Sequence, residues 1–447
     1  MFAKLHAKLG DFWWYSLMLF CACRAADVLN AFVGLWLVPK YVDPSELGAV
    51  LPLTQFANFL AIPVSVFAMT FMKEITVLAT NKEYGKMKSL MKGVFIGGGI
   101  FLAIALVTTK FTLPHFLERI RVEEGSLGIL IVSVGFIGAV APVYSNALQA
   151  LKRFKTISFL NIISAPIRFL SMVLTMPFRA LSGYFVGQAA TPAFSIIASV
   201  WALRKELSVP AEPYWSYPVF QRFITVFIGI AACTYASSIL GLVEQTVLRQ
   251  CLPDIDSAAY YMTTRFSDIA CFMHSALTMV LFPFTTSLAA EGKPTRPLVV
   301  KSSLAMIATG IFIALVFSFF GGQILTILPN GNKYAPYTWM IPCLIMITSI
   351  SSIQSFHTNT EASAGRFGFL KWWVPVNLIF AIGLISITNY EYLIPYIPST
   401  WCNILATYNF TSLKSILIWF AITSLIKTAI SITELIRQPK LQPTRLK

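Results

Sequence analysis

About twelve apolar runs, each near the 20 residues a helix needs to cross a bilayer, leave this chain few ways to fold. Their limits are roughly 13–38, 47–72, 93–114, 127–148, 157–178, 180–203, 222–248, 257–283, 302–328, 337–360, 371–390 and 413–436. In hydrocarbon every backbone N–H and C=O must find a partner within the protein, which favours helices for runs of this length. The expected class is an all-α polytopic membrane protein. Composition agrees: of 447 residues 56% are hydrophobic and 12% are charged, and soluble domains carry about twice that charge. The opening MFAKLHAKLGD is short and basic, and no small-residue cleavage site follows it. The first apolar run therefore reads as a retained helix, not a cleaved signal.

A net charge of +15 raises the question of nucleic acid, but its distribution answers it. With the N-terminus inside, cytoplasmic segments hold about 22 of the Lys and Arg residues and outer segments about 8, as the positive-inside rule requires. Both termini are expected in the cytoplasm, and nucleic acid is not an expected partner. The outer connections are short. The longest, EYLIPYIPSTWCNILATYNFTSLKS, contains a sequon at Asn409 that carries little weight by itself. The seven cysteines lack metal-ligand spacing, and a Cys251–Cys402 pairing has only their count behind it. No metal or cofactor is expected.

The segment RKELSVPAEPYWSYPVFQR is rich in proline and polar residues and divides the chain near its middle. The expected organisation is an N-terminal six-helix bundle over 1–203, a cytoplasmic linker over 204–221 and a C-terminal six-helix bundle over 222–447. YVDPSELGAVLPLTQF (41–56) aligns with CLPDIDSAAYYMTTRF (251–266), and NALQALKRF (146–154) with NTEASAGRF (359–367), at nearly equal offsets. Two halves of six spans share one orientation. Parallel repeats of this kind place a substrate site at their junction.

Charges sit inside several spans. Arg24 and Asp27 are three apart in the first span and share a helix face, which Asn30 continues. Arg265 and Asp268 repeat that spacing in the eighth. Arg168 and Lys427 lie mid-span with no acidic neighbour in their own helix. Glu244 lies toward the outer end of the seventh span, beyond a polar stripe of Thr234, Ser237 and Gly241. Gln55 and Asn58 share one face of the second span. Each central charge costs about 2.5–3.5 kcal/mol facing lipid. Seven would cost on the order of 20 kcal/mol, above the 5–15 kcal/mol net stability of a typical domain. They must face protein or water.

Two readings are open for these groups. Arg24–Asp27 and Arg265–Asp268 are either local structural pairs or part of a wet cavity. Gln55, Asn58, Asn146 and Asn161 fit helix–helix hydrogen bonds at least as well as ligand contacts, and His274 and His357 read first as buried polar groups. Four cations against three acids favour an anionic substrate, since arginine matches phosphate with a planar fork of donors. The candidate cavity residues are Arg24, Arg168, Arg265, Lys427, Asn30, Gln55 and Asn58, and the candidate ion-coupling residues are Asp27, Glu244 and Asp268.

Proline falls within several spans, at Pro52, Pro63, Pro142, Pro166, Pro342 and Pro375, where it frees a carbonyl and permits a kink. Gly183 and Gly187 have the spacing of close helix contacts, as do Gly93 and Gly97. No GxxxxGK[ST] cradle, HExxH or nucleophile elbow is present. No ATPase is built in, and a membrane glycosyltransferase or polysaccharide ligase is the remaining enzyme alternative. Such enzymes need a larger external loop than this chain offers.

A first span with a central arginine running into WLVPKYVDPSELGAVLPLTQFANFLAIPVS resembles the opening of the polysaccharide-transport branch, the O-antigen type flippases, of the multidrug/oligosaccharidyl-lipid/polysaccharide (MOP) exporter superfamily. SNALQALKRFKTISFLNIISAPIRFLSMV resembles the segment joining that branch's fourth and fifth spans. The resemblance implies two six-helix bundles in a MATE-like V around a cationic cavity. It implies flipping of a polyprenyl-pyrophosphate-linked oligosaccharide across a bacterial inner membrane by alternating access. Membrane lipid and a polysaccharide polymerase or other assembly proteins would be partners. Arg24 matches the family's tendency to place a cation in the first span. Drug exporters of the same superfamily use acidic cavities for cationic drugs. The arginine excess departs from that pattern, while Asp27, Glu244 and Asp268 keep a cation-coupled small-molecule exporter in play.

Overall fold

The structure, a computed structural model, describes residues 21, 23–123, 127–151, 153–214, 216–290, 296–363, 367–389 and 412–437. Both termini, the sequon at Asn409 and Cys402 lie outside the described residues. The fold is all-helical. The long helices are α1 (23–41), α2 (Val50–Thr80), α3 (Tyr84–Arg119), α4 (Leu127–Ala150), α5 (Phe154–Thr175) and α6 (Ala180–Ala202). They continue with α7 (Tyr217–Cys251), α8 (Asp254–Ala290), α9 (Arg296–Ile327), α10 (Met340–Ser363), α11 (Leu370–Thr388) and α12 (Leu413–Arg437). Among the described residues ten helices are long and apolar enough to cross a membrane. α1 and α8, which carry the Arg–Asp pairs, are not among the ten. The protein is a multi-pass membrane protein. Its lipid-facing character is plain on α3, where Ile100, Ile104, Val107 and Phe111 are all more than half exposed, a surface that would be unusual in water.

The chain divides into two compact units, Met1–Val42 with Val50–Ser238, and Asp43–Ala49 with Ile239–Lys447. The division falls inside α7.

In the first unit α2 packs on α4, α4 on α6 and α5 on α6. Small residues let these backbones approach. A Cβ on Gly135 of α4 would lie 2.4 Å from the Ala57 carbonyl of α2, and one on Gly183 would lie 2.6 Å from the Met176 nitrogen. A Cβ on Gly187 would meet the Met172 side chain, whereas one on Gly97 would only reach ordinary contact with Phe67 at 3.9 Å. A core of Phe71, Ile75, Met87, Leu90, Leu148 and Phe223 fills the end where α2 turns into α3 and α4 into α5. Phe71 stacks on Phe223 at 4.6 Å between ring centroids. The segment after α6 begins with a short helix, Arg204–Leu207, then lies along this end. Lys88 Nζ donates to Val209 O at 3.0 Å, Glu212 N–H to Gly85 O at 3.2 Å, and Tyr214 Oη to Glu74 Oε2 at 2.7 Å. Arg153 pairs with Glu206.

In the second unit α10 is central, packed against α8, α9 and α12. Arg249, 1% exposed, pairs with Asp254 at 2.8 Å and also donates to Ser45 O. This ties the Asp43–Ala49 segment to the start of α8. A Cβ on Gly48 would lie 2.4 Å from Ser257 Cβ, so that contact admits no side chain. Tyr337 donates to Asp256. Burial and the adjacent carboxylate push its phenol up to about 12, so it remains a donor across the physiological range.

Candidate functional site

The first unit contains a partly open cavity of about 490 Å³. Its walls come from α1, α2, α4, α5, α6 and the first half of α7. The polar lining residues are Asn30, Asn58, Ser65, Ser164, Arg168, Gln188, Thr191, Thr234 and Ser238, and small residues such as Gly135, Gly138 and Ala61 make the room. The helices are irregular around it. α2, α5 and α6 carry internal prolines at Pro63, Pro166 and Pro192. Each removes an i→i−4 hydrogen bond and leaves a carbonyl to be satisfied otherwise. α1 widens into a π-turn at Val33–Leu37, where Val38 N–H reaches back to Val33 O, just before Pro39. Such turns gather at functional sites.

Arg168 is the one charged residue of the lining. Its Nη1 donates to Asn30 Oδ1 at 3.0 Å. Its Nε is buried without a partner, and among the described residues no carboxylate pairs with it. Thr191 Oγ1 is likewise buried and unpartnered. Ser65, Ser164 and Thr234 donate their hydroxyl protons to carbonyls of their own helices, Ile62, Asn161 and Ile230. Their oxygens therefore remain as acceptors. Asn58 and Gln188 add amides. The lining thus offers one strong cationic fork together with neutral donors and acceptors. It holds no carboxylate, histidine or cysteine, so nothing in it is equipped for acid–base or nucleophilic catalysis.

Three sequence candidates, Asn30, Asn58 and Arg168, line this cavity. Gln55 is half-buried on α2 outside the lining. Arg24 and Asp27 lie in the same unit as a half-buried pair at 3.0 Å. Asn161 forms a helix–helix contact, its Nδ2 donating to Cys23 Sγ at 3.6 Å, and this tie lies on α1 and α5, as the Arg168–Asn30 bond does. The remaining candidates lie in the second unit. Arg265 pairs with Asp268 at 3.0 Å and stands over the Tyr261 ring at 4.9 Å. Lys427 stands over the Trp373 ring at 5.2 Å and interacts electrostatically with half-buried Glu244. Gln245 of α7 donates to Tyr260 Oη of α8 beside them at 3.4 Å. Sequence reasoning missed Ser164, Gln188, Thr191 and Ser238.

The fold of this two-unit helical membrane protein can be compared with known proteins. No family model matches the chain, and no curated protein matches it by sequence. Solved structures do. An inward-facing multidrug resistance MATE family transporter of the MOP superfamily aligns over 94% of this chain and 98% of its own, with a TM-score of 0.61 at 11% identity. A variant of the Vibrio cholerae MATE transporter VcmN aligns over 98% and 99%, with a TM-score of 0.64 at 13% identity. A MOP superfamily transporter from Pyrococcus furiosus, described by the reverse polarity of its binding pocket, aligns over 94% and 93%, with a TM-score of 0.56 at 13% identity. The chain has the MATE fold. These neighbours are transporters, not enzymes.

Proposed function

We propose that the protein is a membrane exporter of the MOP type that flips an anionic, polyprenyl-pyrophosphate-linked oligosaccharide across a bacterial inner membrane by alternating access. The observation that carries this reading is Arg168, an intramembrane cation without a carboxylate partner among the described residues, in a cavity whose other polar groups are amides and hydroxyls. An unneutralised guanidinium calls for an oxyanion, and the fork of N–H donors fits pyrophosphate. The orphaned Thr191 hydroxyl and the acceptor oxygens of Ser65, Ser164 and Thr234 suit sugar hydroxyls, which donate and accept. Asp27, Glu244 and Asp268 are the proposed carriers of a coupling ion. A polysaccharide polymerase or another assembly protein is the proposed receiver of the product.

A second reading, a small-molecule exporter, draws on the fold shared with multidrug MATE transporters. Vesicles containing the purified protein separate the two. The first reading expects flipping of a fluorescent polyprenyl-pyrophosphate-linked sugar, lost in Arg168→Ala, and no transport of a cationic dye. Dye transport without lipid flipping would reverse the assignment.

A further inference from the structure

The second unit contains a buried titratable group that the cavity chemistry does not use. His357 of α10 is 5% exposed, and its Nε2 lies 2.9 Å from Ser303 Oγ of α9. Ser303 Oγ also lies 2.9 Å from Val299 O, to which it donates. A hydroxyl has one proton, and a carbonyl oxygen can only accept. The serine proton is therefore committed to Val299, and the ring nitrogen must donate to the serine oxygen. This network assigns the Nε2–H tautomer, with a bare lone pair on Nδ1. Nδ1 is buried and has no partner. Three residues earlier on the same helix face, Gln354 is 6% exposed, and its Oε1 is also buried without a partner. Two buried acceptors with no donor for either is an exception to the rule that buried polar groups are satisfied.

We propose that His357 Nδ1 is a reversible proton-binding site of the second unit. A proton delivered by hydronium adds to the Nδ1 lone pair and leaves water; the ring passes from neutral to +1, and release is the reverse. The new N–H is a donor on the face that carries the orphaned Gln354 oxygen. The helices packed around it carry other titratable groups. Helix α8 brings Arg265 and Asp268, which pair with each other, together with Cys271 and His274, whose Nε2 faces Met306 O at 3.1 Å. Helix α9 brings exposed Lys301, α12 brings Lys427 over Trp373, and α10 itself carries half-buried Glu361. Among the described residues none of them forms a hydrogen bond or ion pair with His357. A proton there is compensated by dipoles or by entering water, so its binding favours a more hydrated packing of α10 against its neighbours. Proton occupancy and conformation are thereby linked. The transporter reading is needed for what the proton drives, not for whether it binds.

The test is therefore made without substrate. The full-length protein is labelled with nitrogen-15 at its four histidines and placed in lipid nanodiscs. Its ring resonances are followed from about pH 8 down to about pH 3, because burial without a counter-charge lowers an imidazole's proton affinity, and His274→Gln and His357→Gln assign them. The expected result is a bare-Nδ1 signature for His357 at the upper end that converts to imidazolium as the pH falls. One proton fewer should be taken up by His357→Gln, whose amide keeps a donor for Ser303. A His357 ring that stays neutral across the range overturns the proposal, as does equal proton uptake by the variant. Should His357→Gln fail to fold, the wild-type titration, assigned by subtraction with His6→Gln, His115→Gln and His274→Gln, decides by itself. Loss of lipid flipping by the wild type would sink the transporter reading and leave this result untouched.

Discussion

The two units neutralise their intramembrane charges differently. In the second, charges come with partners: Arg265 with Asp268, Arg249 with Asp254 and a carbonyl, Lys427 with an indole face and the field of Glu244. In the first, Arg24 and Asp27 follow the same habit, but Arg168 has only an amide oxygen and an idle Nε. A charge matched inside the protein needs nothing further. One that is left unmatched beside a cavity of about 490 Å³ is open to a ligand, as the proposed function requires. The contrast separates charges matched within the protein from one that is not.

The contrast can be broken most severely at Arg168. Replacement by alanine should abolish vesicle transport while leaving protein that elutes as a single species. Replacement by lysine should restore part of the rate, because charge survives without the planar fork. Equal loss of folded protein in both variants would mean that Arg168 is structural after all. Arg249 offers the opposite case. Changing it to methionine leaves the Ser45 carbonyl without this donor beside a half-exposed Asp254, and should cost about 1–3 kcal/mol of stability, read as lowered thermal stability with ligand affinity unchanged. Gly183→Val drives side-chain atoms into the backbone at Met176. It should cost roughly 1–3 kcal/mol as overpacking, seen as reduced yield and melting temperature.

The smallest effects belong to the half-buried Arg265–Asp268 pair. Arg265 and Asp268 keep 21% and 31% exposure, so Asp268→Asn alone should cost only about 1 kcal/mol. If Asp268 carries the coupling ion, however, the dependence of transport on an ion gradient should disappear with that modest change. Joint replacement by methionine and leucine should recover most of the lost stability. Gradient dependence that survives both changes would assign the pair to packing.

Most of the fold was legible in the sequence because the bilayer fixes a length. Each apolar run falls on one long helix, although the first lies partly among residues not described. Boundaries were less legible. α3 begins at Tyr84, before the apolar run at 93, because its first turns, YGKMKSLMK, are basic and build the end core through Met87, Leu90 and Met91. Arg168, Asn30 and Asn58 were legible because charge and amide stand out against apolar sequence. That Arg168 meets Asn30, 138 positions away, was not, since no local pattern records a long-range contact. Ser164, Thr191 and Ser238 carried no signal either. Serine and threonine settle into membrane helices by bonding their own backbone, whether or not a cavity is near. His357 shows the same limit. Its missing partner is a property of packing, not of spacing.

The most direct measurement is equilibrium binding of a short polyprenyl pyrophosphate to the purified protein in nanodiscs. It compares wild type with Arg168→Met and with the Arg265→Met/Asp268→Leu double variant. The account predicts saturable binding that falls roughly 30-fold or more in the first variant and stays near wild type in the second. Undiminished affinity in Arg168→Met, or a loss confined to the double variant, would contradict it.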